Sequence, residues 1–190
     1  MKNKNGFTVM ELLVVIGILL ILIAIVISSL SISQKKTRDD RRVSTLQEIM
    51  LALEQYRDVC REYPMGLDSA EDNGCPIISG VSATFGDFLS SDASSVLQQN
   101  TYGIKYVALK SSNASSNTCT GYHIGIPLES NHPELSRAEM VGTEGFGLSA
   151  LGATYCDQNA SGFWGNTEDC SDYFQPGQEN RCLDFKKGNP

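Results

Sequence analysis

The pattern of apolar and polar positions in the first third of the chain changes character once, near residue 31. From Leu12 to Leu30, nineteen consecutive residues carry no charge and nearly all are aliphatic. Farther on, apolar residues recur at steps of three and four between polar ones, which is typical of an amphipathic helix. The residues of this stripe are Val43, Leu46, Ile49, Met50, Leu53, Tyr56 and Cys60. Because no proline occurs between Phe7 and Tyr63, the pattern predicts one continuous helix of about 85 Å.

The two halves of this predicted helix need different surroundings. The uncharged run spans about 28 Å at the helical rise of 1.5 Å per residue, close to the ~30 Å hydrocarbon core of a bilayer. We therefore expect residues 7–30 to cross the membrane and residues 31–63 to pack one face on a domain. The rest of the chain, residues 64–190, is far more polar and is predicted to form that domain outside the membrane.

Within the domain, two segments alternate with the period of a half-buried strand. They are Thr101–Lys110 and Gly121–Leu128, with a polar linker suited to a hairpin loop between them. Pro127 must then lie at an edge or at a strand end, because it cannot donate to a sheet. The sequence thus predicts an α+β fold, in which the long N-terminal helix packs on a small antiparallel sheet.

The segments around these strands have weaker patterns. We expect residues 64–100 to form an irregular loop with a short helix around Phe85 to Leu89. One more strand is expected around Gly147–Tyr155, followed by a C-terminal loop held by cysteines.

The charge is distributed unevenly along the chain. The formal net charge is −7, from 15 basic and 22 acidic side chains. Five of the basic residues fall between Lys35 and Arg42, whereas beyond Arg42 the chain has eight basic residues and 19 acidic ones. An acidic domain repels phosphate backbones, so nucleic-acid binding over a broad surface is disfavoured, although a local basic patch stays compatible with the sequence.

The six cysteines favour disulfides over the alternatives of metal ligation and free thiols. They are Cys60, Cys75, Cys119, Cys156, Cys170 and Cys182. Their even number, their wide spacing and their position beyond a membrane segment indicate an oxidising compartment. No C-x2-C pair of zinc ligands occurs. Six cysteines permit 15 pairings, and the sequence does not choose among them.

The sequence contains no pattern typical of an active site. His123 and His132 are the only histidines, and we expect each to be solvated or packed in a strand rather than catalytic or metal-binding. Neither a G-x-S-x-G nucleophile motif nor a P-loop nor a G-x-G-x-x-G nucleotide motif is present. We therefore predict that the protein is not an enzyme.

The N-terminal residues K-N-G-F-T-V-M-E-L-L-V-V-I-G-I-L resemble the class III signal of type IV pilins and type II secretion pseudopilins. The matching features are a short basic leader (residues 1–6) that ends in Gly6, then Phe7, then Glu11 at the head of a long apolar run. A cleavable secretory signal has a shorter apolar core of about 7–15 residues. The resemblance implies that a membrane aspartyl peptidase cuts between Gly6 and Phe7 and methylates the new amine of Phe7.

The resemblance also implies a structural function. It makes the chain a subunit of a pilus or pseudopilus, in which Glu11 pairs with the Phe7 amine of a neighbouring subunit. The implied partners are copies of itself, other pilins or pseudopilins, the prepilin peptidase, an inner-membrane assembly platform with an ATPase, and membrane lipid before assembly. Two alternatives stay open: Glu11 could lie at the membrane interface without a partner, and the protein could be a membrane-tethered extracytoplasmic binding protein that never polymerises.

Acidic residues in the C-terminal loop are candidates for one cofactor, calcium. They are Asp157, Glu168, Asp169 and Asp172. Calcium takes six to eight oxygen ligands from such loops, and in the family that the chain resembles, the major pseudopilins of type II secretion systems bind calcium in their C-terminal loop. The spacing is not that of an EF-hand, and a solvated acidic loop held by disulfides is the alternative.

Overall fold

The computed structural model describes residues 8–67, 75–76, 82–111, 118–137, 153–156, 170 and 181–187. The first element, α1, is one unbroken helix of 52 residues from Val9 to Cys60, which confirms the predicted continuous helix. It ends three residues before the predicted position, because Arg61 takes a left-handed conformation (φ 66°) and donates its N–H to the carbonyl of Arg57 at 2.7 Å. A left-handed residue after the last turn is a common way to stop a helix.

The second half of α1 packs on the domain through the predicted stripe. Five residues of that stripe are buried, and Met50 and Cys60 are partly buried against them. The buried residues are Val43, Leu46, Ile49, Leu53 and Tyr56. The first half of the helix is not buried in the domain, since all its described side chains up to Arg38 are exposed.

Four short elements follow α1. Strands β1 (Cys75–Pro76) and β2 (Ser82–Ala83) form a small antiparallel pair. A 3-10 helix at Phe85–Phe88 confirms the short helix expected there. The α-helix α2 at Ser91–Gln99 corrects our prediction of an irregular loop. Its serine-rich composition obscures the helical period, but Ser90 caps it by accepting from the N–H of Ala93 at 3.2 Å, and serine is a favoured capping residue.

The main sheet has four antiparallel strands. They are β3 (Lys105–Ser111), β4 (Gly121–Pro127), β5 (Ala153–Tyr155) and β6 (Cys182–Lys187), in the spatial order β5-β3-β4-β6. The predicted pair of strands is confirmed as β3 and β4, which align Tyr106 with Ile124, and Pro127 lies at the end of β4 as expected. The strand expected around 147–155 is present at Ala153–Tyr155, whereas residues 147–152 are not among the described ones.

Two boundaries of the sheet differ from the prediction. Strand β3 begins at Lys105 rather than at Thr101, because residues 100–103 turn the chain after α2, with positive φ at Asn100 and Gly103. Strand β6 was predicted to be part of a loop. Instead, it pairs with β4 along its full length, from Cys182 opposite Pro127 to Lys187 opposite Tyr122. Its alternating apolar residues are too few to stand out in the sequence, so only pairing with β4 reveals the strand.

The core lies between α1 and one face of the sheet. The apolar stripe of α1 packs there with residues of three strands: Ala108, Tyr122, Ile124, Ile126 and Leu183. The architecture is therefore the α+β fold that the sequence predicts, a long helix on a small antiparallel sheet.

All six cysteines form disulfides. The pairs are Cys60–Cys75, Cys119–Cys156 and Cys170–Cys182, with Cα–Cα distances of 5.3, 5.8 and 5.1 Å. The first pair joins the end of α1 to β1, the second joins the approach to β4 to the end of β5, and the third joins Cys170 to the start of β6. The structure thus selects one of the 15 pairings that the sequence permits.

Candidate functional site

The first turn of α1 contains the acidic residue that the sequence singled out. Thr8 precedes the helix in an extended conformation, and its Oγ1 accepts a hydrogen bond from the backbone N–H of Glu11 at 3.2 Å. Glu11 itself is exposed, and a carboxylate in the first turn interacts favourably with the helix dipole. Sequence reasoning missed this N-cap, although a threonine three residues before a glutamate is its known signal.

The carboxylate of Glu11 makes no hydrogen bond or ion pair with any residue that the structure describes. Gly6 and Phe7, the predicted cleavage and methylation site, lie outside the described residues. The geometry of the Glu11–Phe7 pair therefore stays a prediction.

The exposed half of α1 forms a continuous apolar surface. Between Val9 and Ile32 its large aliphatic side chains are 44 to 77% exposed. By length and composition this is a helix able to cross a membrane, and none of its most apolar stretch is buried in the domain. Because exposure of so much aliphatic surface to water is unfavourable, this half requires lipid or other protein around it.

At the point where α1 reaches the domain, polar side chains bind the loop after β4. We call this arrangement the helix–loop clasp, formed by Arg38, Asp39, Asp40 and Arg42 of α1 with residues 127–132. At its centre the fully buried Asp39 accepts hydrogen bonds from the N–H of Glu129 (2.8 Å), the N–H of Ser130 (2.9 Å) and the hydroxyl of Ser130. Three donors compensate the loss of hydration that burying a carboxylate entails.

Two arginines of the clasp hold the same carboxylate. Arg38 donates through Nε to both oxygens of Glu129 (3.1 and 3.0 Å), and Arg42 donates through Nη2 at 2.8 Å and through Nη1 to the carbonyl of Pro127 at 2.9 Å. The hydrogen bonds from Arg38 lower the pKa of Glu129, and the charge of Arg42 lowers it further. Two residues of the basic cluster at Lys35–Arg42, Arg38 and Arg42, therefore bind the helix to the domain.

Each of the two histidines lies within hydrogen-bond distance of an aspartate carboxylate. His132 is buried beside the clasp, with Nε2 at 2.9 Å from Oδ1 of Asp40. His123 is buried in β4, with Nε2 at 3.0 Å from Oδ2 of Asp184 in β6. His123 matches the expectation of a histidine packed in a strand, whereas the partner of His132 was not foreseen.

A second attachment lies near the end of α1. The hydroxyl of Tyr63 donates to the carboxylate of Glu54, 3.2 Å from each oxygen, and its ring packs edge-on against Tyr122 at 4.8 Å between centroids. Burial, reinforced by the negative charge of Glu54, raises the pKa of Tyr63 to about 12. The packed half of α1 is thus held at both ends, by the clasp and by this pair.

The four acidic residues considered for calcium are in a segment that the structure does not describe. They are Asp157, Glu168, Asp169 and Asp172, and calcium binding there stays a prediction. The disulfide Cys170–Cys182 is described and crosses this part of the chain.

The family model for the prokaryotic N-terminal methylation motif matches residues 1–27. The searches of curated proteins and of solved structures found no match to this chain. The matched motif is the signature of type IV pilins and pseudopilins, and it points to a structural protein rather than to an enzyme. The chain therefore carries the prokaryotic N-terminal methylation motif, a class III signal peptide, at residues 1–27.

Proposed function

We propose that this chain is a structural subunit of a type IV pilus or a type II secretion pseudopilus. The observation that supports this most strongly is the combination of the methylation motif with one unbroken helix, exposed and apolar in its first half and packed on a domain in its second. The apolar first half of this helix extends beyond the domain. Lipid surrounds it before assembly, and neighbouring helices surround it afterwards. In the filament, packing between neighbouring helices keeps this aliphatic surface away from water, as lipid does before assembly.

Processing prepares the helix for assembly. Cleavage between Gly6 and Phe7 places a new amine one residue before the N-cap Thr8, and methylation of Phe7 keeps that amine positively charged at neutral pH. A positive charge at the N-terminus of a helix is unfavourable with respect to the helix dipole. A carboxylate from another subunit offsets this effect.

Glu11 supplies that carboxylate. In the membrane it lies near the cytoplasmic interface, where a charge is least costly. Between packed helices an isolated charge costs several kcal/mol, so subunits that lack a Glu11–Phe7 pair are disfavoured. The pair thus sets the register between neighbouring helices.

The compartment and partners follow from this arrangement. The chain crosses the inner membrane once, with its domain on the extracytoplasmic side, where disulfides are stable. The prepilin peptidase cuts it at the cytoplasmic face of this membrane, and an assembly platform with an ATPase inserts it among copies of itself or other pilins. The finished filament lies in the periplasm or on the cell surface.

Mass spectrometry of the N-terminus of the native protein tests the processing. We expect the mature chain to begin at Phe7 and to carry one methyl group on its amine. An intact Met1 contradicts the proposal and favours the membrane-tethered binding protein instead.

Substitution of Glu11 tests its role in register. Glu11→Gln preserves shape and removes the charge, so the variant is expected to insert and to be processed but to form far fewer filaments by electron microscopy. Glu48→Gln, on the half of α1 that packs on the domain, is the matched control. Normal filament yield from Glu11→Gln would show that the pairing does not set the register.

A further inference from the structure

Three cations near the clasp are not part of it. Lys35, Lys36 and Arg41 are exposed on α1, and among the described residues no hydrogen bond or ion pair involves their side chains. By contrast, Arg38 and Arg42 in the same stretch are bound to Glu129. The clasp therefore divides the basic cluster into two bound arginines and three unbound cations.

These cations lie at the depth where α1 leaves the hydrocarbon core. If Glu11 is at the inner boundary of that core, Lys35 lies about 36 Å along the helix from it at 1.5 Å per residue. The hydrocarbon is ~30 Å thick and the headgroup layer extends roughly 5–7 Å beyond it. Lys35 and Lys36 are therefore level with the headgroups of the outer leaflet, while Arg41 lies about two turns farther out.

Helix geometry favours an orientation of these side chains toward the headgroups. Side chains of a helix lean toward its N-terminus, which is the membrane side of α1. Long basic side chains also extend along apolar surface while they keep their charge in a polar layer. Arg41 and Arg38 line an open groove with Leu30, Ser33, Gln34 and Thr37. In the outward direction the groove changes from apolar to polar to cationic, which is complementary to the acyl chain, the glycerol and the phosphate of an anionic phospholipid.

Among the described residues, none of the nearby carboxylates forms a hydrogen bond or ion pair with these cations, although Glu129 interacts with Lys35 through its charge. Asp39 is buried, Asp40 pairs with His132, and Glu129 pairs with Arg38 and Arg42. We propose that Lys35, Lys36 and Arg41 bind the phosphates of anionic phospholipid headgroups in the outer leaflet while the subunit is in the membrane, before it is assembled into a filament. This inference rests on the proposed function, because it requires that residues 7–30 cross the bilayer.

Lipid spin-label spectroscopy of the full chain in bilayers tests the proposal. We would reconstitute the mature protein in phosphatidylcholine vesicles and compare the protein-bound fraction of spin-labelled phosphatidylglycerol with that of spin-labelled phosphatidylcholine. Because each basic residue near the surface changes headgroup affinity by about fivefold, we expect a preference for phosphatidylglycerol of about that size. The preference should fall with added salt, since exposed charges are screened.

The variant Lys35→Gln/Lys36→Gln/Arg41→Gln should bind both spin-labelled lipids equally. The matched control, Arg61→Gln/Lys105→Gln/Lys187→Gln, removes three exposed cations from the domain and should retain the preference. Equal binding of both lipids by the unmodified chain would overturn the inference and leave the proposed function intact. Absence of protein-bound lipid of either kind would contradict the membrane span itself and thus both proposals. If the first variant keeps the preference for phosphatidylglycerol but no longer forms filaments, the inference is overturned. The three cations would then contact a neighbouring subunit and not lipid.

Discussion

Asp39 shows how one buried charge joins two segments that lie 90 residues apart. Its carboxylate is completely shielded from solvent and accepts three hydrogen bonds from Glu129 and Ser130, and Nη1 of Arg42 lies 4.0 Å from it. Hydrogen bonds to a charged acceptor are stronger than neutral ones. Removal of the acceptor leaves buried donors without a partner, which is more costly than the loss of the bonds alone.

The substitution Asp39→Ala should therefore destabilise the domain. We expect a loss of about 2–3 kcal/mol in the free energy of unfolding, mostly from the unpaired N–H groups of the loop. Denaturant unfolding of the full chain in detergent, followed by circular dichroism, measures it. Asp58→Ala, an exposed aspartate on the same helix, should change stability by less than about 0.5 kcal/mol, and an equal effect of the two substitutions would disprove the role of Asp39.

At the scale of elements, the clasp lies at the boundary between the exposed half of α1 and the half that packs on the domain. Every described side chain from Val9 to Arg38 is exposed, and Asp39 is the first buried residue. Apolar burial then continues from Val43 to Tyr56. Because the clasp is polar and the remaining contact is apolar, the two parts should respond differently to pH.

Acid should loosen the clasp before it releases the helix. Arg38 lowers the pKa of Glu129 in the folded protein, so this ion pair stabilises the fold above the ordinary carboxyl pKa of about 4.3 and loses its contribution as pH falls through the lowered value. Hydrogen–deuterium exchange below pH 4, corrected for the intrinsic rate, should show faster exchange at Glu129 and Ser130 while Leu46–Leu53 stays protected. Glu129→Gln should show the faster exchange already at neutral pH, and unchanged protection in that variant would contradict this account.

At the scale of the whole molecule, a small sheet supports a helix much longer than the domain. At 1.5 Å per residue α1 extends about 78 Å, and only its second half is buried on the sheet. The disulfides reinforce this small domain at three places, the end of α1, the approach to β4 and the start of β6. A small domain commonly relies on such cross-links, because its core alone is limited.

The disulfides should differ in their contribution to stability. The sequence separation is 37 for Cys119–Cys156 and 12 for Cys170–Cys182, and a longer loop loses more entropy in the unfolded chain when it is cross-linked. Cys119→Ala/Cys156→Ala should lower the free energy of unfolding by about 4 kcal/mol, compared with about 3 kcal/mol for Cys170→Ala/Cys182→Ala. Denaturant unfolding of both variants measures the difference, and a larger loss from the shorter loop would contradict the loop-length argument.

The sequence by itself determined the elements that depend on local patterns. The uncharged run and the stripe from Val43 to Cys60 predicted α1, because a helix places residues three and four apart on one face. Alternation predicted β3 and β4. The leader with Gly6, Phe7 and Glu11 predicted the methylation motif, since its recognition depends on residues that are neighbours in the chain.

Only the tertiary structure decided the features that join distant segments. The sequence did not predict the roles of Asp39 and Arg42, because their partners, Ser130 and Glu129, lie about 90 residues away. In a polar segment, a charged residue that will be buried cannot be distinguished from one that will be exposed. The pairing of Cys119 with Cys156 and the strand status of β6 likewise depend on which segments meet in space. Local periodicity reports which face of an element is buried, whereas the partner on that face is set by the packing of the whole domain.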